Sequence, residues 1–168
     1  MNNEATATKQ MKAYLTFKLN HEVFALGVDK VVEIMEVPRV TKVPKAPDYM
    51  KGVINLRGQV LPVIDTRIKF GLTPIELTKD HCIIVINMII DEKTMYFGAL
   101  VDQVLEVLEM DEETMLPTPN VNSKYDMRFI QGLLKEGDDF VMVLDIDHTF
   151  SIEEIEAIKE NNQEQQRD

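Results

Sequence analysis

The sequence is short of cysteine, of positive charge and of long apolar runs, and each shortage removes a class of function. Cys82 is the only cysteine, which excludes an internal disulfide and any cysteine-based zinc cluster. Acidic residues number 29 against 18 basic ones, a formal net charge of -11. Nucleic acid and anionic membrane surfaces would repel such a chain, while basic protein surfaces would not. No apolar run approaches the ~18 residues of a membrane span, and residues 1–10 are polar and small with no signal-peptide pattern. They read as the start of a loose tail, residues 1–11, on a cytoplasmic protein. The seven glycines never form GxGxxG or GxxxxGK, so no phosphate cradle is signalled and kinase chemistry within this chain is not expected.

What is present is the composition of a globular protein, 45% hydrophobic and 28% charged over 168 residues, enough for one compact domain or two very small ones. Two segments nearly repeat each other. FALGVDKVVEIME at residues 24–36 matches FGALVDQVLEVLE at 97–109, with Phe24 on Phe97, Asp29 on Asp102, Val31 on Val104 and Glu33 on Glu106 at a constant offset of 73. Further on, at an offset of 80, Gly52-Val53-Ile54 falls on Gly132-Leu133-Leu134, and Val63-Ile64-Asp65 on Val143-Leu144-Asp145. Order and spacing both persist, so the chain carries an internal duplication and two similar lobes packed together.

Each copy reads as mostly β. Residues 14–19, 23–26, 60–64, 82–88 and 140–144 alternate, and turn signals at Asn20-His21, Arg57-Gly58, Asp91-Glu92 and 136–138 separate them. Short strands with close turns point to small closed barrels, which remove exposed sheet edges. Gly52 and Gly132 sit at equivalent strand starts, where a bulge or barrel corner needs glycine. A short helix is expected at residues 67–70. Another follows Ser151, whose pairing with Glu154 is a capping box. The boundaries that result are a first lobe with linker at 12–79, a second lobe at 80–150, and a C-terminal helix with polar tail at 151–168.

Chemistry is harder to find. Asp145-Ile146-Asp147-His148 is the best metal candidate, two carboxylates on one face of an extended strand. Without further ligands, such a pair is more often a solvated strand end, and the repeat mate Asp65 has no following aspartate. No metal ligand and no catalytic residue is therefore assigned, and no cofactor. His21 and His81 lie near turns and read as surface residues. Ser123 and Ser151 lack a base. Cys82 in an apolar strand reads as core. The apolar stretches 28–34 and 101–107 read mostly as barrel core. Val31-Val32 and Val104-Leu105 break strict alternation, however, leaving a surplus that two lobes could bury against each other beside a groove. Arg57 stands out because its repeat mate is Gly137, and it could anchor a carboxylate of a partner.

The block GVINLRGQVLPVID at 52–65, with FALGVDKVVEI before it and GLLKEGDDFVMVLDID at 132–147, resembles the signature of the chemotaxis coupling protein (CheW) family. The resemblance runs from about residue 14 to 150. It implies a mainly β fold of two five-stranded, SH3-like barrels and a non-catalytic adaptor of signalling arrays. It further implies binding to the hairpin tip of a chemoreceptor and to the regulatory domain of the histidine kinase CheA, with recruitment to membrane-associated receptor arrays. The receptor groove would include Val28, Val31, Ile34 and Arg57, with Val104 opposite. Kinase contacts would involve Glu33 and the loop from Leu116 to Val121. Rival expectations are a small metal-dependent enzyme using Asp145 and Asp147, a self-associating structural barrel, and a similar scaffold in a non-flagellar pathway.

Overall fold

A computed structural model describes residues 11–90, 92–118 and 127–149. Among these residues ten strands run in chain order: β1 Met11–Leu19, β2 Glu22–Gly27, β3 Val31–Glu36, β4 Met50–Leu56, β5 Gln59–Asp65, β6 Cys82–Ile90, β7 Lys93–Val101, β8 Gln103–Asp111, β9 Ile130–Glu136 and β10 Asp139–Leu144. Two one-turn helices, α1 Thr66–Lys69 and α2 Ile146–Thr149, follow β5 and β10. β1 starts at Met11, so the expected tail gives up its last residue to a strand. The helix expected beyond residue 150 lies outside the described residues.

The strands form two five-stranded sheets, ordered β8-β1-β2-β10-β9 (sheet A) and β3-β6-β7-β5-β4 (sheet B). Each sheet closes on itself by a bridge between the chain leaving one edge strand and the opposite edge. Thr41 exchanges two backbone hydrogen bonds of 2.8 Å with Val53 on β4, and Leu116 does the same with Leu133 on β9 at 2.8 and 2.9 Å. The two glycines expected at barrel corners sit at these closures. A Cβ on Gly52 would run into the Thr41 carbonyl, and one on Gly132 would stand 2.6 Å from the Leu116 carbonyl oxygen. Gly52 also holds φ +152, where side chains are strained.

The two barrels are not the two halves of the sequence. Sheet A takes β1 and β2 from the first copy but β8, β9 and β10 from the second; sheet B takes β3, β4 and β5 with β6 and β7. The boundary expected between residues 79 and 80 therefore falls inside sheet B. Each copy's leading hairpin joins the other copy through a parallel pairing, β2 with β10 and β7 with β5. Parallel neighbours need a long connection, which a sequence alignment of the copies does not reveal.

This exchange makes three cores. Tyr14, Ala25, Met110, Leu134, Val141 and Val143 fill the barrel of sheet A, and Ile54, Leu61, Val63, Ile83, Val85 and Leu100 fill that of sheet B. The largest core lies between them, built on Leu15, Phe17, Phe24 and Leu26 from sheet A with Ile84, Ile86, Phe97 and Ala99 from sheet B. The leading hairpins are thus covered on both faces, which is why Tyr14 to Phe17 are buried in succession. Burial also pushes the Tyr14 phenol above its ordinary pKa, with the negative charges of Glu112 and Asp29 adding to it.

Candidate functional site

Most of the apolar stretches 28–34 and 101–107, expected to be core, lie on edge strands instead, and only Val101, on β7, is fully buried. β3 and β8 each end a sheet, and no residue from Val28 to Glu36 is fully buried. An edge strand has a neighbour on one side only, so its outward and marginal side chains stay accessible.

A bulge in each edge strand decides which side chains meet the core between the sheets. On β3, Val31 pairs with Ile86 and Ile34 with Ile84, so two residues of β3 oppose one of β6. On β8, Val104 pairs with Phe17 and Val107 with Leu15, again two against one. Directly opposed residues share a face of the sheet, and Ile84, Ile86, Leu15 and Phe17 all belong to the shared core. The bulge therefore sends residues i and i+3 to that face, where an unbroken strand would send i and i+2. Val31 and Val104 pack on the margin of the shared core. Beyond them, on the same faces, Ile34 is 44% and Val107 56% exposed. Val28 is also exposed, in a one-turn 3-10 segment, Val28–Lys30, that leads from sheet A into β3.

The bulge in β8 is held by a side chain. The hydroxyl of Thr16, buried on β1, donates to the Glu106 carbonyl at 2.6 Å and accepts from the Glu106 N–H at 3.1 Å. It satisfies both backbone groups that the extra residue removes from the ladder.

Arg57 occupies the first position of the two-residue turn between β4 and β5, at φ +51, followed by Gly58 at φ +85. Its guanidinium, on a 73% exposed side chain, donates to Glu33 Oε2 at 2.7 Å. One residue expected at the receptor surface and one expected at the kinase surface thus form a single ion pair. Among the described residues, Glu33 Oε1 is buried with no hydrogen-bond partner. Leu116 is 46% exposed at the closure of sheet A, and Val121 lies outside the described residues.

Three readings of single residues change. His81 is 5% exposed, not a surface residue; its Nδ1 accepts the Thr78 N–H at 2.8 Å, and Nε2 stands 3.6 Å from Asp102 Oδ1. Asp145 and Asp147 do not share a strand face, because Asp145 leads into α2 and its carbonyl accepts the Thr149 N–H at 2.8 Å. Cys82 is half-buried at the margin of the shared core, not within it. Val107 was missed, although its position as repeat mate of Ile34 marked it. Among the described residues, no helix is long and apolar enough to cross a membrane.

Comparison with known proteins gives one consistent answer. The family model described as CheW-like domain matches residues 13–154. The chain is 34% identical over 143 residues to a probable chemotaxis protein CheW of Rhizobium etli, covering 85% of this chain and 90% of that protein. It is 34% identical over 160 residues to the chemotaxis protein CheW of Thermotoga maritima, covering 95% and 99%. The crystal structure of the scaffolding protein TtCheW from Thermoanaerobacter tengcongensis aligns with a TM-score of 0.74 at 31% identity, covering 85% of this chain and 94% of that one.

Proposed function

Because the chain belongs to the CheW-like family of chemotaxis scaffolds, we propose that it couples chemoreceptors to the histidine kinase CheA without chemistry of its own. The receptor's helical hairpin tip seats on Val28, in the segment leading into β3, and on the apolar residues that the edge-strand bulges turn toward the seam between the barrels: Val31, Ile34 and Val104. Arg57 meets a carboxylate at the rim. The kinase regulatory domain binds at Glu33, Leu116 and Val121. The observation that carries this reading is the pair of matching bulges, which leave apolar side chains only partly covered at the accessible margins of a shared core. A helix with one apolar face fits such a surface.

Val31→Asp tests it. Burying ~60 Å² of valine at about 25 cal/mol per Å² contributes roughly 1.5 kcal/mol, about tenfold in affinity. A carboxylate facing apolar helices costs more. The variant is expected to fold and to bind the kinase regulatory domain, yet to lose the receptor tip in a direct titration. Joint loss of both partners with unfolding would make Val31 a core residue and remove the groove.

A further inference from the structure

A single carboxylate ties the two sheets together at one of the places where the chain passes between them. Asp102 lies between β7 of sheet B and β8 of sheet A. Its Oδ2 accepts from Arg67 Nη1 at 2.6 Å and from the Asn20 N–H at 2.8 Å, while its own N–H donates to the Lys18 carbonyl at 3.1 Å. Arg67, 8% exposed on α1, also donates from Nε to the Thr73 carbonyl at 2.9 Å. His81, just before β6, completes the group. Its Nδ1 accepts from Thr78, and its Nε2 stands 3.6 Å from Asp102 Oδ1, a buried oxygen with no hydrogen-bond partner among the described residues. Lys18 and Asn20 belong to the end of the sheet A hairpin, Arg67 and His81 to the side of sheet B.

The duplication supplies an internal control. Asp29, the repeat mate of Asp102, marks the other passage between the sheets. There the carboxylate is 62% exposed, and its ion pair with Lys12 spans 4.0 Å. The repeat mate of Arg67 is Asp147, exposed on α2. The fold thus makes the same crossing without a buried charge cluster. Stability does not demand one either, since apolar residues packed in place of a buried ion pair are often neutral or stabilising. What the cluster adds is direction: a guanidinium, a carboxylate and an imidazole in fixed register admit few relative positions of the segments that carry them.

We propose that Asp102, with Arg67 and His81, is a positioning cluster that sets where edge strand β8, and with it Val104 and Val107, stands against sheet B. It thereby shapes the surface that takes the receptor tip, and in this respect it rests on the coupling function proposed above. Asp102 is two residues before Val104, so a shift of its backbone is transmitted directly to that wall.

The test uses the full chain with the double substitution Arg67→Met/Asp102→Leu, and Asp102→Asn beside it. The readouts are affinity for a receptor hairpin-tip fragment and for the kinase regulatory domain, thermal unfolding, and methyl resonances of Val104 and Val107. The double variant is expected to fold, with a melting temperature lowered by the unpaired Asn20 N–H and Thr73 carbonyl, and to lose about tenfold in tip affinity, with kinase-domain affinity changed by less than about twofold. The Val104 and Val107 methyls should move, while those of Leu61 and Val63 inside sheet B hold. Parental tip affinity in the double variant would overturn the proposal, as would equal loss of both partners. Failure of both variants to fold would overturn it too, making the cluster a requirement of folding. If the parent itself does not bind the tip, the coupling reading fails, and the methyls alone decide: movement supports the cluster's role, and none removes it.

Discussion

Arg57 holds a backbone conformation that favours glycine. At the equivalent turn of the second copy, Gly137 has φ +61, close to the +51 of Arg57. Left-handed backbone costs a side chain roughly 1–2 kcal/mol, and an exposed ion pair such as that with Glu33 returns ~0.2–1 kcal/mol. The pair does not repay the backbone, so the arginine is not there for stability. Arg57→Gly is expected to change unfolding free energy by less than ~2 kcal/mol while abolishing coupling of receptor to kinase in a reconstituted phosphorylation assay. A large fall in melting temperature would show that the guanidinium is structural. The asymmetry with Gly137 made Arg57 legible in the sequence. Its pairing with Glu33 was not, because barrel closure brings together residues 24 positions apart. His81 was misread for a related reason: its neighbours Thr78 to Asp80 are polar and exposed, and the carboxylate it faces comes from the distant crossing between β7 and β8.

Among the elements, β3 and β8 show how a local irregularity becomes a surface. Their broken alternation was visible at Val31-Val32 and Val104-Leu105, but alternation cannot tell a central strand from an edge strand. Both stretches therefore read as core in the sequence, and only their positions at the sheet edges set them apart. Thr16 is what keeps the β8 bulge in register, through its two bonds to the Glu106 backbone. Thr16→Val keeps the shape but removes the partner of the Glu106 N–H and C=O on an exposed edge-strand residue, and each lost hydrogen bond costs about 1 kcal/mol. Chemical denaturation is expected to show that loss, with faster amide exchange at Glu106. If the amide stays protected, the bulge is held by the strand ladder and not by the hydroxyl.

At the scale of the whole molecule, the core between the sheets makes the two barrels one cooperative unit. Phe24 on sheet A is fully buried and stacks on Phe17 at 5.9 Å and on Phe70, which follows α1, at 5.8 Å. Phe70 in turn meets Phe129 before β9 at 5.6 Å. Phe24→Ala is expected to lower stability by ~3–5 kcal/mol in a single transition. Amides of Leu61 and Val63 in sheet B should lose as much exchange protection as those of Val141 and Val143 in sheet A. Independent lobes would show loss in sheet A alone.

The sequence by itself determined the strands, the turns, the duplication and the glycines of barrel closure, since these depend on side-chain period, turn chemistry and backbone freedom within a few residues. It also carried the family resemblance, through a block of residues that stays contiguous in the chain. Which strands share a barrel was decided only when the chain folded. Each hairpin had apolar side chains on both faces, and covering both required one copy to lend its hairpin to the other. That exchange placed β3 and β8 at the edges, joined Arg57 to Glu33, and gathered Arg67, His81 and Asp102 from three separate stretches around one crossing. No local pattern encodes such meetings, because their free energy comes from surfaces that become neighbours only in the packed molecule.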